Sequence, residues 1–118
     1  MKRILLLALL AALAAAPTAL AKRTRLAVVP PTAPATVRAP WTPRIVVRLD
    51  GRPYRGAYRP ELGLLDRTGS VIRLFASRPT GTPGVYAVDV VFPRPGLWRY
   101  WIHDPIMGGW YFTVRVGA

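Results

Sequence analysis

The sequence contains no cysteine, so a disulfide framework and a lipid-modified N-terminal cysteine are both excluded and stability must come from a packed core. Acidic residues are scarce too, 5 Asp+Glu against 17 Lys+Arg. A carboxylate pair for acid–base chemistry would have to be drawn from Glu61, Asp66, Asp89 and Asp104, each of which has a local use in a turn, a strand exterior or a loop. His103 is the one histidine, and neither Ser70, in a predicted hairpin, nor Ser77, at a loop entry, has an elbow motif around it. With no residue to fill a second catalytic role, the chain is expected not to be an enzyme and to need no cofactor. The glycines (Gly51, Gly69, Gly96, Gly108 and Gly109) fall where turns or loops are predicted, outside the strand-loop-helix context of a phosphate cradle.

Long apolar runs are missing as well, apart from Ile4–Ala16, which falls short of the roughly 20 residues that a membrane-spanning helix needs. That run follows a basic head, Lys2 and Arg3, and leads to small residues at Ala19 and Ala21. This is the layout of a secretory signal peptide over residues 1–21, so the chain is expected to be exported to the periplasm or beyond the cell, with no transmembrane segment after cleavage. A rival cleavage frame ends at Ala16, directly before Pro17. Cleavage after Ala21 would leave 97 of the 118 residues, enough for one domain with one core.

Setting Lys2 and Arg3 aside leaves 15 basic residues against 5 acidic ones, so the mature chain carries about ten net positive charges. The arginines are scattered singly along the sequence and no nucleic-acid-binding motif accompanies them, so no specific nucleic-acid partner is expected. An envelope protein or an anionic polymer is the expected partner.

What the chain does have is period-two patterning. In Gly84–Phe92, Tyr86, Val88, Val90 and Phe92 share one face; in Leu97–His103, Trp98, Tyr100 and Ile102 do; in Trp110–Val116, Trp110, Phe112, Val114 and Val116 do. Upstream, Arg44–Asp50 places Ile45, Val47 and Leu49 on one side and ends in an Asp50-Gly51 turn signal. Leu62–Leu65 and Ser70–Ala76 flank Asp66–Gly69 as a hairpin, with Ile72 and Leu74 expected to point inward. Leu26–Val29 is a possible first strand, and Pro30, Pro31, Pro34, Pro40 and Pro43 break the next stretch into extended pieces, typical of an edge strand or one that changes sheets.

About seven strands with turns every 8–12 residues and no helical periodicity predict an all-β fold, an immunoglobulin-like antiparallel β-sandwich, with a small barrel as the alternative. Residues 22–43 form a proline-rich N-terminal segment with a possible edge strand, and residues 44–118 the sandwich. Trp98 is the expected central aromatic, packed by Ile45, Val47, Val88 and Phe112.

Four stretches carry a likeness: IVVRLDGRPYRGA (Ile45 to Ala57), LLDRTGSVIRL (Leu64 to Leu74), PGVYAVDVVFPRPGLWRYWI (Pro83 to Ile102) and YFTVRV (Tyr111 to Val116). Together they resemble the YtkA-like and FixH-like exported domains, with an aromatic-to-alanine spacing one residue shorter at Tyr86-Ala87. That resemblance implies a small, exported, non-enzymatic bacterial Ig-like domain, associated in some relatives with copper handling or respiratory-oxidase assembly. Relatives implicated in metal work are expected to be rich in Met and His; here the mature chain offers His103 and Met107 alone. Imidazole and thioether suit Cu(I), but two soft ligands are too few for a stable site without a partner molecule, and the plainer expectation is a solvent-facing His103 and a loop-packing Met107.

Strand register supplies the candidate binding patch. If Trp98, Tyr100 and Ile102 pair with Val114, Phe112 and Trp110, then Trp101 must stand opposite Tyr111 and Arg99 opposite Thr113 on the outer face, flanked by Arg115. Either the proline-rich segment Val29–Pro40 covers this pair, or Arg99, Trp101, Tyr111 and Arg115 form an exposed patch that docks a partner.

Overall fold

The computed structural model describes residues 23–118, so the expected signal peptide lies outside the described residues. Eight strands follow one another: β1 (Thr24–Val29), β2 (Arg44–Leu49), β3 (Arg52–Pro53), β4 (Glu61–Leu65), β5 (Val71–Pro79), β6 (Val85–Val88), β7 (Gly96–His103) and β8 (Gly109–Val116). Every pairing between them is antiparallel, and among the described residues there is no helix, hence none long and apolar enough to cross a membrane.

The strand order is β1-β2-β6-β5-β4-β7-β8, with β3 paired to β2. The long strand β5 belongs to two layers, since Glu61–Leu65 pair with its first part and Tyr86–Val88 with its end at Ser77–Pro79. The result is a sandwich of β1-β2-β6-β5 against β4-β7-β8, the A-B-E-D and C-F-G order of immunoglobulin-like domains.

Alternation puts one face of each layer into a shared core. Ile45, Val47, Leu62, Leu64, Val88, Val90 and Ile102 are fully buried, and Trp41, Tyr86, Phe92, Trp98 and Tyr100 close around them. Trp98 is 3% exposed, as its strand phase predicts; its ring neighbour is Phe92, 6.3 Å away, while Phe112 stacks on Tyr100 at 5.4 Å. The central aromatic contacts belong to Trp41, 5% exposed and 5.8 Å from both Phe92 and Tyr100.

Trp41 reaches the core because the proline-rich stretch changes layers. β1 pairs with β2 along its whole length, and after Pro30–Pro34 the chain pairs in parallel with the end of β8, Thr36 opposite Gly117. Trp41 then exchanges both backbone hydrogen bonds with Val90. Pro43 has no N–H to give, so the ladder between the two pieces is interrupted and β6 stops at Val88 instead of running on to Phe92.

The hairpins obey turn chemistry. Asp50 and Gly51, at φ 52° and 77°, form a two-residue connection with Leu49 opposite Arg52, the left-handed pair that Asp-Gly sequences favour. In the β4–β5 hairpin the expected inward Ile72 and Leu74 are instead 43% and 60% exposed. Leu65 pairs with Val71 but Leu64 with Arg73, so Ile72 is an extra residue, a bulge. Without it Leu64 would face Ile72 and Leu62 would face Leu74; one inserted residue exchanges the two faces of the strand, and Phe75 turns inward opposite Leu62.

Candidate functional site

The outer face of β5-β4-β7-β8 is assembled from residues that sit directly opposite one another across four strands. One row runs Leu74, Gly63, Trp101, Tyr111, and the next runs Val71, Leu65, Arg99, Thr113. The expected pairings Trp101 with Tyr111 and Arg99 with Thr113 are both present. Leu97 opposite Arg115 continues the same face toward the far end.

The aromatic pair is open to solvent at Tyr111, 67% exposed, while Trp101 is half-buried. The proline-rich segment does not cover it: that segment buries Ala35 and runs beside Gly117, at the other end of β8. Trp101 is steadied from the side by the His103 ring, 3.8 Å away edge-on, and by the backbone of Gly109, where a Cβ would collide with the indole Nε1. Gly63 leaves a dip in the centre of the row; a Cβ there would meet Val71 Cγ1 at 3.3 Å and Leu74 Cδ2 at 3.6 Å. Leu65 is buried outside the core, on this outer face, between Arg99 and Val71.

Charge frames the apolar strip. Arg99 and Arg115 are exposed, and the Arg78–Asp89 pair is the only ion pair among the described residues, so both guanidinium groups are uncompensated. The nearby carboxylate of Asp66 is occupied within its own turn: hydrogen bonds from the Thr68 side chain and then the Ser70 backbone hold its pKa below the ordinary value.

The two soft-ligand candidates meet different fates. His103 is half-buried against Trp101, with Nδ1 buried and without a hydrogen-bond partner, and its carbonyl accepts from the Tyr58 hydroxyl. Met107 does not pack its loop; it is 73% exposed at φ 70°. Among the described residues no group of three or more His, Cys, Asp or Glu is placed to hold a metal ion.

Sequence reasoning missed Leu74, Val71 and Gly63 as members of the face, because the bulge at Ile72 leaves no local signal. It gave Asp104 a local use in its loop but not the hydrogen bonds to Thr24 and Trp110 by which this residue organises the loop beside the site. Asp104 is 2% exposed and accepts hydrogen bonds from Thr24 Oγ1 (2.6 Å), Trp110 Nε1 (2.9 Å) and the backbone N–H groups of Ile106 and Gly108. The Asp-Pro-x-x-Gly spacing of 104–108 was the available signal, since Asp side chains cap such turns.

Comparison of the chain with protein-family models, with curated proteins and with solved structures returns no significant match.

Proposed function

We propose that this chain is an exported, non-enzymatic β-sandwich module of the bacterial cell envelope that recognises a protein or polyanionic partner, with the outer face of β5-β4-β7-β8 as the surface that docks a protein. The observation that carries this reading is Tyr111 standing 67% exposed opposite Trp101, beside the unpaired guanidinium groups of Arg99 and Arg115. Trp, Tyr and Arg dominate binding hot spots, and ordinary sheet exteriors of a monomer do not gather them with Leu74, Val71 and Leu97 on one face. The likeness to YtkA-like and FixH-like domains points to the same class of exported accessory.

A photo-crosslinking amino acid placed at Tyr111 in the producing cells tests the reading. A discrete adduct, lost when Trp101→Ala is added and not obtained from the same group at Thr82, is the expected result. Equal labelling from both positions would overturn it.

A further inference from the structure

The opposite side of the sandwich carries a second surface of different character. Along β1 and β2 the outward positions are Arg25, Ala27 and Val29, and Arg44, Val46 and Arg48. In the register of the two strands Arg25 stands directly opposite Arg48, both exposed. Two like charges in direct cross-strand opposition cost stability, so a fold selected for stability alone would place an acid at one of them. The second arginine group is Arg44 and Arg78, which flank the small Ala87 from the strands on either side of it. They border a shallow hollow of about 730 Å³ with the hydroxyl-bearing Thr32, Thr42 and Thr80 on its rim.

Strand geometry sets the scale. Arg44 and Arg48 are four residues apart on one strand, about 13 Å, and Arg44 and Arg78 are two strands apart, about 10 Å. The acids on this side are already engaged. Asp50 accepts from the Arg23 backbone N–H at 3.0 Å, and Asp89 accepts from Thr42 and from Arg78, compensating that one guanidinium. Arg25, Arg44 and Arg48 have no carboxylate partner among the described residues.

We infer that this face binds a linear anionic polymer whose successive phosphate, sulfate or carboxylate groups bridge Arg25 with Arg48 and continue to Arg44 and the hollow beside Arg78. A polymer fits better than an anionic membrane surface. The outward positions of β1, β2 and β6 hold no aromatic residue and no Leu, whereas interfacial binding needs such residues beside the charges. The inference is independent of the aromatic face, which lies on the other layer.

Binding of linear polyphosphate to the purified protein, measured across a salt series, tests it. Affinity should fall linearly on a log–log plot as salt rises, and Arg25→Ser with Arg48→Ser should weaken binding at least tenfold and reduce the slope by about 1.5. The same variant should melt at or above the temperature of the parent, because a repulsive pair has been removed. Arg44→Ser provides a second route on the same face and should weaken binding in the same direction. Arg67→Ser with Arg73→Ser, an equal loss of charge on the other layer, should change affinity less than about twofold, and Trp101→Ala with Tyr111→Ala should leave it intact. Equal losses from both double arginine variants would reduce the effect to net charge and overturn the assignment. So would loss with the aromatic variant, no binding by the parent, or binding only to vesicles of equal parts phosphatidylglycerol and phosphatidylcholine.

Discussion

Thr24 Oγ1 donates a 2.6 Å hydrogen bond to Asp104 Oδ2, tying the first strand to the loop between the last two. Burial alone would raise the pKa of Asp104, but the hydrogen bonds from Thr24, Trp110, Gly108 and Ile106 outweigh it and hold the carboxyl below its ordinary value. Asp104→Ala leaves an indole N–H and two backbone N–H groups without their acceptor and should cost about 2–4 kcal/mol, read from denaturant midpoints. A carboxyl whose folded pKa lies below its unfolded value, near 3.9, contributes stability that is complete above that value and lost as pH falls through the folded one. The parent should therefore lose more stability than Asp104→Asn between about pH 5 and pH 2. Parallel curves for the two proteins would contradict this account.

The core predicts two large effects of similar size. Trp98→Ala and Trp41→Ala should each cost about 3–5 kcal/mol, a large part of the stability of a domain this small. Trp98 also loses a 2.9 Å hydrogen bond from its Nε1 to the Arg94 carbonyl and the Arg94 guanidinium 4.5 Å above its ring. A Trp41→Ala variant melting within a few degrees of the parent would show that the proline-rich stretch is peripheral to folding.

The difference between these two tryptophans shows what a sequence can and cannot reveal. Trp98 begins a strand of strict alternation, so its burial follows from local phase. Trp41 stands between Pro40 and Pro43, where no periodicity exists; its burial depends on pairing with Val90, 49 positions away, and on the layer change that precedes it. The two surfaces divide in the same way. Trp101 opposite Tyr111 was legible because tight corners fix the register of β7 and β8, while the Arg25–Arg48 opposition depends on how β1 meets β2 across the proline-rich connection.

The bulge at Ile72 separates the hairpin into cheap and costly positions. Leu74→Ser, at a site 60% exposed, should change stability by less than about 0.5 kcal/mol, whereas Leu64→Ser, fully buried, should cost about 3 kcal/mol or more. Deleting Ile72 removes the extra residue and leaves the pairings on either side of it in place, Leu65 with Val71 and Leu62 with Phe75, so Leu74 stays outward and that variant should unfold at higher denaturant than Leu64→Ser. Denaturant midpoints for the three proteins provide the comparison, and a costly Leu74→Ser would mean that the register is wrong.

Met107 occupies a left-handed conformation that suits glycine, at φ 70° in a side chain 73% exposed. Because that side chain contributes little packing, Met107→Gly should stabilise the domain by about 0.5–1 kcal/mol and raise its melting temperature by a few degrees. Destabilisation by this change would show that the thioether makes contacts that support the loop.

Trp101 and Tyr111 make the last test, because stability and association should separate there. Tyr111 has no contact to lose in proportion to its size, so Tyr111→Ala should lower stability by less than about 0.5 kcal/mol. Trp101 is half-buried and packs edge-on against His103, so Trp101→Ala should cost about 1–2 kcal/mol, still below the cost of either core tryptophan. Both residues face outward in one row with the dip at Gly63, and a partner seated on that row would lose its central aromatic contacts in the double variant. Crosslinking from a photoreactive group at Leu74, at the other end of the row, should therefore fall at least tenfold in the Trp101→Ala, Tyr111→Ala protein while its melting transition stays cooperative. Unchanged crosslinking in a folded double variant would move the docking surface elsewhere, and a steep stability loss on the scale of Trp98→Ala would make the pair a part of the core.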